Sequence, residues 1–119
     1  MKVLVCGGRD FSDRELLDAT LDRVLTKFGD DLVIVHGNCE TGADQMAEQW
    51  AKDRRVEYMG FPARWERLGK PAGFERNKRM RDKAKPDAAI AFPGRTGTQM
   101  MCDLMLEIGI EPWRVGWRE

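Results

Sequence analysis

The chain has 119 residues, and its 20 Lys and Arg balance 20 Asp and Glu. That length fits one domain, residues 1–119, with one hydrophobic core and little left for a second function. The charge balance excludes the long-range field that draws basic proteins to DNA or to anionic membranes.

Apolar runs and helical patterns alternate along the chain, which predicts a mostly parallel sheet with helices on both faces. The first strand is about Lys2–Gly7, and its short apolar run is neither a signal peptide nor a membrane span. A helix follows from a Ser12-x-x-Glu15 capping box, with an inward stripe of Leu17, Leu21, Val24 and Phe28 that Gly29 stops. The second strand is Leu32–His36, and the second helix starts at Thr41-x-x-Asp44 with Ala43, Met46, Ala47 and Trp50 inward. The third strand is about Val56–Phe61, and an irregular stretch runs from Pro62 to Pro71. A third helix covers Ala72–Ala84 and ends before Pro86. The fourth strand is Ala88–Phe92. The fourth helix begins near Thr96 or Thr98, buries Met101, Leu104, Met105 and Ile108, and ends at Gly109. A fifth strand falls within Pro112–Trp117. With right-handed crossovers this gives a single Rossmann-like, three-layer α/β domain with strand order 3-2-1-4-5.

Two glycine loops follow strands one and four, the strands that flank the point where the order reverses. They are Gly7-Gly8-Arg9-Asp10 and Pro93-Gly94-Arg95-Thr96-Gly97-Thr98. Glycine admits close backbone approach, and a helix start behind it offers unpaired N–H groups and a positive dipole end. Such a pair makes an anion site, usually for phosphate, and open α/β sheets bind ligands at this switch point. The expected ligand is a nucleotide or a sugar phosphate. Neither G-x-G-x-x-G nor G-x-x-x-x-G-K-[ST] is present, so neither a standard dinucleotide fold nor a P-loop enzyme is indicated. Arg9 can pair with phosphate and Asp10 can accept from a ribose hydroxyl; the plainer alternative is a turn with a surface ion pair. Thr96 and Thr98 either cap the fourth helix or offer hydroxyls to phosphate.

On the third helix Gly73, Asn77, Met80 and Ala84 share a face, and a buried amide there needs partners. Asn77 is expected to hold a loop backbone or touch the ligand, with Arg76 bordering the crevice. The basic stretch from Arg64 to Lys85 reads first as a solvated face and second as a phosphate-attracting patch; a nucleic-acid track is not expected. Trp65 either stacks on a base or pins its loop to the core, and the core role is favoured. His36 is expected to be structural, and Asp44 to be the capping-box acid of the second helix before it is a catalytic carboxylate. The three cysteines, Cys6, Cys39 and Cys102, lack C-x-x-C spacing; they fit a reducing cytoplasm, and no metal site is expected. Homo-oligomerisation stays open.

In chain order these residues form a pattern. Gly7-Gly8-Arg9-Asp10-Phe11 is followed by His36-Gly37 with Gly42-Ala43-Asp44, then by Phe61-Pro62-Ala63-x-Trp65. Gly69-Lys70, Ala72-Gly73 and Arg76-Asn77-x-x-Met80 come next, and Phe92-Pro93-Gly94 with Gly97-Thr98 closes the set. The pattern resembles the small YspA/YpsA-related proteins of the SLOG superfamily, which are common in bacteria and phages. The resemblance implies a Rossmann-like fold that binds nucleotides or nucleotide-derived ligands such as ADP-ribose, without a further cofactor. Taken with the loop readings above, the residues expected around the ligand are Gly7, Gly8, Arg9, Asp10, Gly37, Arg76, Asn77, Pro93, Gly94, Arg95, Thr96, Gly97 and Thr98. Related LOG-type phosphoribohydrolases carry Pro-Gly-Gly-x-Gly-Thr-x-x-Glu and a helical Arg. Here Arg95 stands at the second Gly, Met101 stands at the Glu, and Arg76 is the candidate for the Arg. A hydrolase would therefore draw its catalytic groups from Arg9, Asp44 and Arg76. The DprA-like nucleic-acid binders are the third relation the resemblance raises.

Overall fold

The computed structural model describes residues 1–117. Five parallel strands form one sheet in the order β3-β2-β1-β4-β5. They are β1 (Lys2–Cys6), β2 (Val33–His36), β3 (Glu57–Gly60), β4 (Ala88–Ala91) and β5 (Trp113–Arg114). Between them run α1 (Arg14–Phe28), α2 (Gly42–Asp53), α3 (Trp65–Leu68), α4 (Ala72–Arg79) and α5 (Thr96–Glu107). The Rossmann-like order expected from the alternation is the observed one.

The central strand explains the layers. In β1, Val3 and Val5 face one side of the sheet, and Leu4 and Cys6 face the other. All four are buried, as expected of a strand covered on both faces. Val3 and Val5 join Ile34, Ile90 and Phe92 against Leu17 and Leu21 of α1 and Ala47 and Trp50 of α2. Leu4 and Cys6 join Val35 and Ala91 against Met80, Met101 and Met105. The register sets Val3 beside Ile34 and Leu4 beside Ala89. The carboxyl ends of β1 and β4 therefore open side by side, where the strand order reverses.

Several local expectations are corrected. Asp13, not Ser12, caps α1, accepting from the Leu16 N–H at 3.1 Å. Either oxygen can serve in the sequence Ser-Asp, and the residue one position later has the helix-facing geometry. The Pro62–Pro71 stretch contains the single helical turn α3. The third predicted helix is continuous but ends in a π-helical turn, Met80–Ala84, closed by Lys85 at φ 51°. Ile108 is 45% exposed, because it sits past the last turn of α5, at the C-cap. The fifth strand shrinks to two residues.

Candidate functional site

A cleft of about 360 Å³ lies at the switch point. Its floor is the end of β1 with Gly7 and Gly8; Arg76, Asn77 and Met80 form one wall, and Gly97, Thr98 and Met101 of α5 form the other. Arg9, Asp10, Cys39, Asp44 and Arg95 complete the rim.

The two glycine loops touch directly. The Gly8 N–H donates to the Pro93 carbonyl at 2.8 Å, and the Gly8 carbonyl accepts from Ala43 N–H at 3.3 Å, tying the first loop to α2 as well. These bonds are close because side chains are missing. A Cβ on Gly42, whose φ is +75°, would sit 2.1 Å from the Gly8 carbonyl oxygen. A Cβ on Gly94 would sit 2.1 Å from the Thr98 hydroxyl, whereas one on Gly97 would meet nothing within 4 Å. Gly94 thus serves packing between loop and helix, and Gly97 leaves open space at the cleft wall.

The helix that opens the cleft is not the one directly after the first loop. Three residues separate that loop from α1, and α1 spends its N-terminus on Asp13. The start of α5 is different: it has no side-chain cap. Its first-turn N–H groups lack a side-chain acceptor and lie beside Gly97 and Thr98 at the cleft wall. Neither Thr96 nor Thr98 caps it; Thr96 is exposed, and Thr98 is buried against Gly94.

Arg76 is half-buried and held on two sides. Its Nη1 donates to the Gly37 carbonyl, and its Nε donates to Asn77 Oδ1 at 2.9 Å. Asn77 passes the link on, donating to the Gly97 carbonyl at 3.4 Å. One chain of contacts therefore runs from the β2 exit through α4 to the start of α5. A Cβ on Gly37 would meet both Arg76 and Asp44 below 3.0 Å, so this glycine is the space in which the two side chains converge.

Asp44 is not a capping-box acid. Thr41 makes no side-chain cap to α2; its hydroxyl donates to the Arg9 carbonyl at 3.0 Å instead. Asp44 is buried at the cleft and accepts from the Cys39 N–H at 3.4 Å. Burial pushes its carboxyl above the ordinary range, and the Arg76 guanidinium pulls it back in part. Asp10 is exposed and lies 3.5 Å from Arg95 Nη2, an ion pair between the two glycine loops. Among the described residues, Asp10 and Asp44 are the carboxylates of the cleft.

Of the residues expected at the site, Gly7, Gly8, Arg9, Asp10, Arg76, Asn77, Arg95, Gly97 and Thr98 line this cleft. Pro93 and Gly94 face a shallower hollow behind it, with Asp10 and Phe11. Gly37 opens onto a neighbouring hollow, and Thr96 lies outside these cavities. His36 is structural: its Nδ1 accepts from the Asn38 N–H at 3.0 Å, and its Nε2 lies 3.2 Å from Glu48 Oε1. Cys6, Cys39 and Met80 were not expected at the cleft. Their apolar or small side chains gave no polar signal, and only the register that ends β1 at the crevice places Cys6 there. A hydrogen bond with Cys102 and burial push the Cys6 thiol well up, and burial raises Cys39, so neither supplies a ready thiolate.

Trp65 corrects another expectation. It does not pin its loop to the core; it is 47% exposed, with the Arg9 guanidinium 5.2 Å over its ring. The polar company Arg64, Glu66 and Arg67 was the available signal, since no apolar period surrounds it.

A model of the YspA, cpYpsA-related SLOG family matches residues 1–68, from β1 through α3. The chain belongs to this family. The Gene 61 protein of Mycobacterium phage D29 is 37% identical over 97 residues, covering 77% of this chain and 76% of the phage protein. Among solved structures, the UDP-GlcNAc 2-epimerase from Methanocaldococcus jannaschii superposes with a TM-score of 0.56 at 17% identity. That superposition covers all of this chain but 33% of the epimerase, and it shows a shared α/β fold. The SLOG family match covers the first glycine loop, Asp44 and Trp65; Arg76 and the α5 loop lie beyond it.

Proposed function

We propose that this SLOG protein is a cytoplasmic, one-domain binding module for a nucleotide or nucleotide-derived phosphate, of ADP-ribose-like chemistry. The observation that carries this reading is the convergence of two donors on one cleft, the uncapped start of α5 and the Arg76 guanidinium, over a floor of Gly7 and Gly8. Helix-start N–H groups and a guanidinium are the recurrent partners of a phosphate. Arg76 arrives pre-oriented by Gly37 and Asn77, so little side-chain freedom remains to be lost on binding. Gly97 leaves the room in which a phosphate would lie against the helix start. Membership of the SLOG family supports a nucleotide-related role. The reading requires neither a metal nor a further cofactor.

A melting series with AMP, ADP and ADP-ribose tests it. A ligand at one hundred times its Kd adds about 2.7 kcal/mol to the folded state. In a chain this small that raises Tm by on the order of 10 °C. No shift with any nucleotide or sugar phosphate would remove the proposal.

One observation favours a second reading, a nucleotide hydrolase. Asp44 is a buried carboxyl with a raised pKa facing Arg76, and groups so perturbed in clefts are often acid–base catalysts. Against it, Met101 is buried at the cleft where the LOG-type enzymes carry their glutamate. We expect little release of free base from nucleoside monophosphates. Release that disappears in Asp44→Asn would favour the hydrolase.

A further inference from the structure

A second hollow of about 440 Å³ adjoins the phosphate cleft and shares Arg9, Cys39 and Arg76 with it. Trp65, Pro62, Ala63, Asn38 and Thr41 also line it. We propose that this hollow is the base subsite, where the nucleobase of the bound ligand stacks on Trp65. This rests on the phosphate-binding reading above.

Three features point to a planar aromatic ligand. The indole leaves 47% of its surface exposed, although it is among the largest apolar side chains of the protein. It is held out of the core by α3, a turn with no buried residue, while Gly73 of α4 leaves the ring edge room at 3.5 Å from its would-be Cβ. A flat cation already lies over that ring: the Arg9 guanidinium at 5.2 Å. A guanidinium and a nucleobase are alternative partners for one aromatic face. Because Arg9 borders both hollows, it can leave the indole for the phosphate as the base takes its place. One ligand then spans both spaces, with its phosphate on Arg76 and α5 and its base on Trp65. Asn38, Glu40 and Thr41 are further polar residues that line this hollow, the Thr41 hydroxyl donating to the Arg9 carbonyl.

Calorimetric titration of AMP, ADP and ribose 5-phosphate into wild type, Trp65→Ala and Trp65→Phe tests the assignment. Base–aromatic stacking predicts that AMP and ADP bind wild type roughly tenfold to a hundredfold tighter than ribose 5-phosphate. Trp65→Ala should remove most of that advantage, leave ribose 5-phosphate unchanged and keep its fold, since the ring is exposed. Trp65→Phe should retain part of the advantage while abolishing the nucleotide-dependent quenching of tryptophan fluorescence. Equal affinity for ADP and ribose 5-phosphate in wild type, or equal weakening of both by Trp65→Ala, would overturn the base subsite but leave the phosphate reading standing. If neither nucleotides nor ribose 5-phosphate bind wild type, both proposals fall.

Discussion

Two buried titratable residues, 36 and 44, have opposite pH signatures. Burial raises the Asp44 carboxyl above its ordinary value, so its contribution to stability is present below about pH 3.8 and is lost as pH rises through the folded value. At pH 7 a buried carboxyl whose pKa is raised is a liability, and Asp44→Asn should raise Tm there. That gain should vanish near pH 3, and melting curves at the two pH values check it. A stabilising substitution that also weakens nucleotide binding would mark Asp44 as retained for the cleft rather than for the fold. His36 has the reverse sign. Burial lowers its pKa from 6.5, outweighing the nearby carboxylates of Asp44 and Glu48, while Arg76 adds to the lowering. Its contribution is present above about pH 6.5 and is lost as pH falls through the folded value. Between about pH 7.5 and 5.5 the wild-type Tm should fall, and His36→Gln should flatten that slope. An unchanged slope in the variant would reassign the effect to other groups.

Loops and helix ends, rather than strands, separate what was legible in the sequence from what was not. The strand order followed from alternation, because Val3-Leu4-Val5 can only be a strand covered on both faces. The meeting of the two glycine loops followed from that order. Which oxygen caps α1, and that Asp44 turns into the cleft rather than back to its own helix, depended on contacts between elements that no local spacing encodes. Trp65 was misread because a large aromatic is ordinarily core, and its exposure is set by α3, a turn too short to carry a periodic signal. Glycine substitutions separate strain from collision at these loops. Gly29, at φ +61° and ψ −140° with nothing within 4 Å of its would-be Cβ, should lose about 2 kcal/mol on mutation to alanine from backbone strain alone. Gly42→Ala adds a clash with the Gly8 carbonyl to a similar φ, so roughly 3 kcal/mol or more is expected. Urea unfolding of both variants measures the difference; equal losses would mean that the Gly8–Gly42 contact gives way easily.

Across the molecule, charge is balanced and partly paired within the surface. Arg79 bonds Glu75, Arg81 bonds Asp82 and Glu107, and Arg54 bonds Asp22. On the reading of the basic stretch as a solvated face, single-stranded DNA is expected to bind no tighter than micromolar near physiological salt. Submicromolar, steeply salt-dependent binding that charge reversal at Arg79 and Arg81 removes would contradict this. No helix among the described residues is long and apolar enough to cross a membrane. What the fold offers instead is a place where strand order reverses and the proposed phosphate donors converge. Titration of ADP into wild type and Gly97→Val, side by side, tests that convergence most directly. Gly97 carries no positive φ, and its would-be Cβ meets no neighbour, so the valine variant should fold normally while filling the space against α5. Saturable binding by wild type, weakened at least tenfold in a Gly97→Val protein of unchanged Tm, is the expected result. Equal ADP affinity in the two folded proteins would contradict a phosphate site at the start of α5.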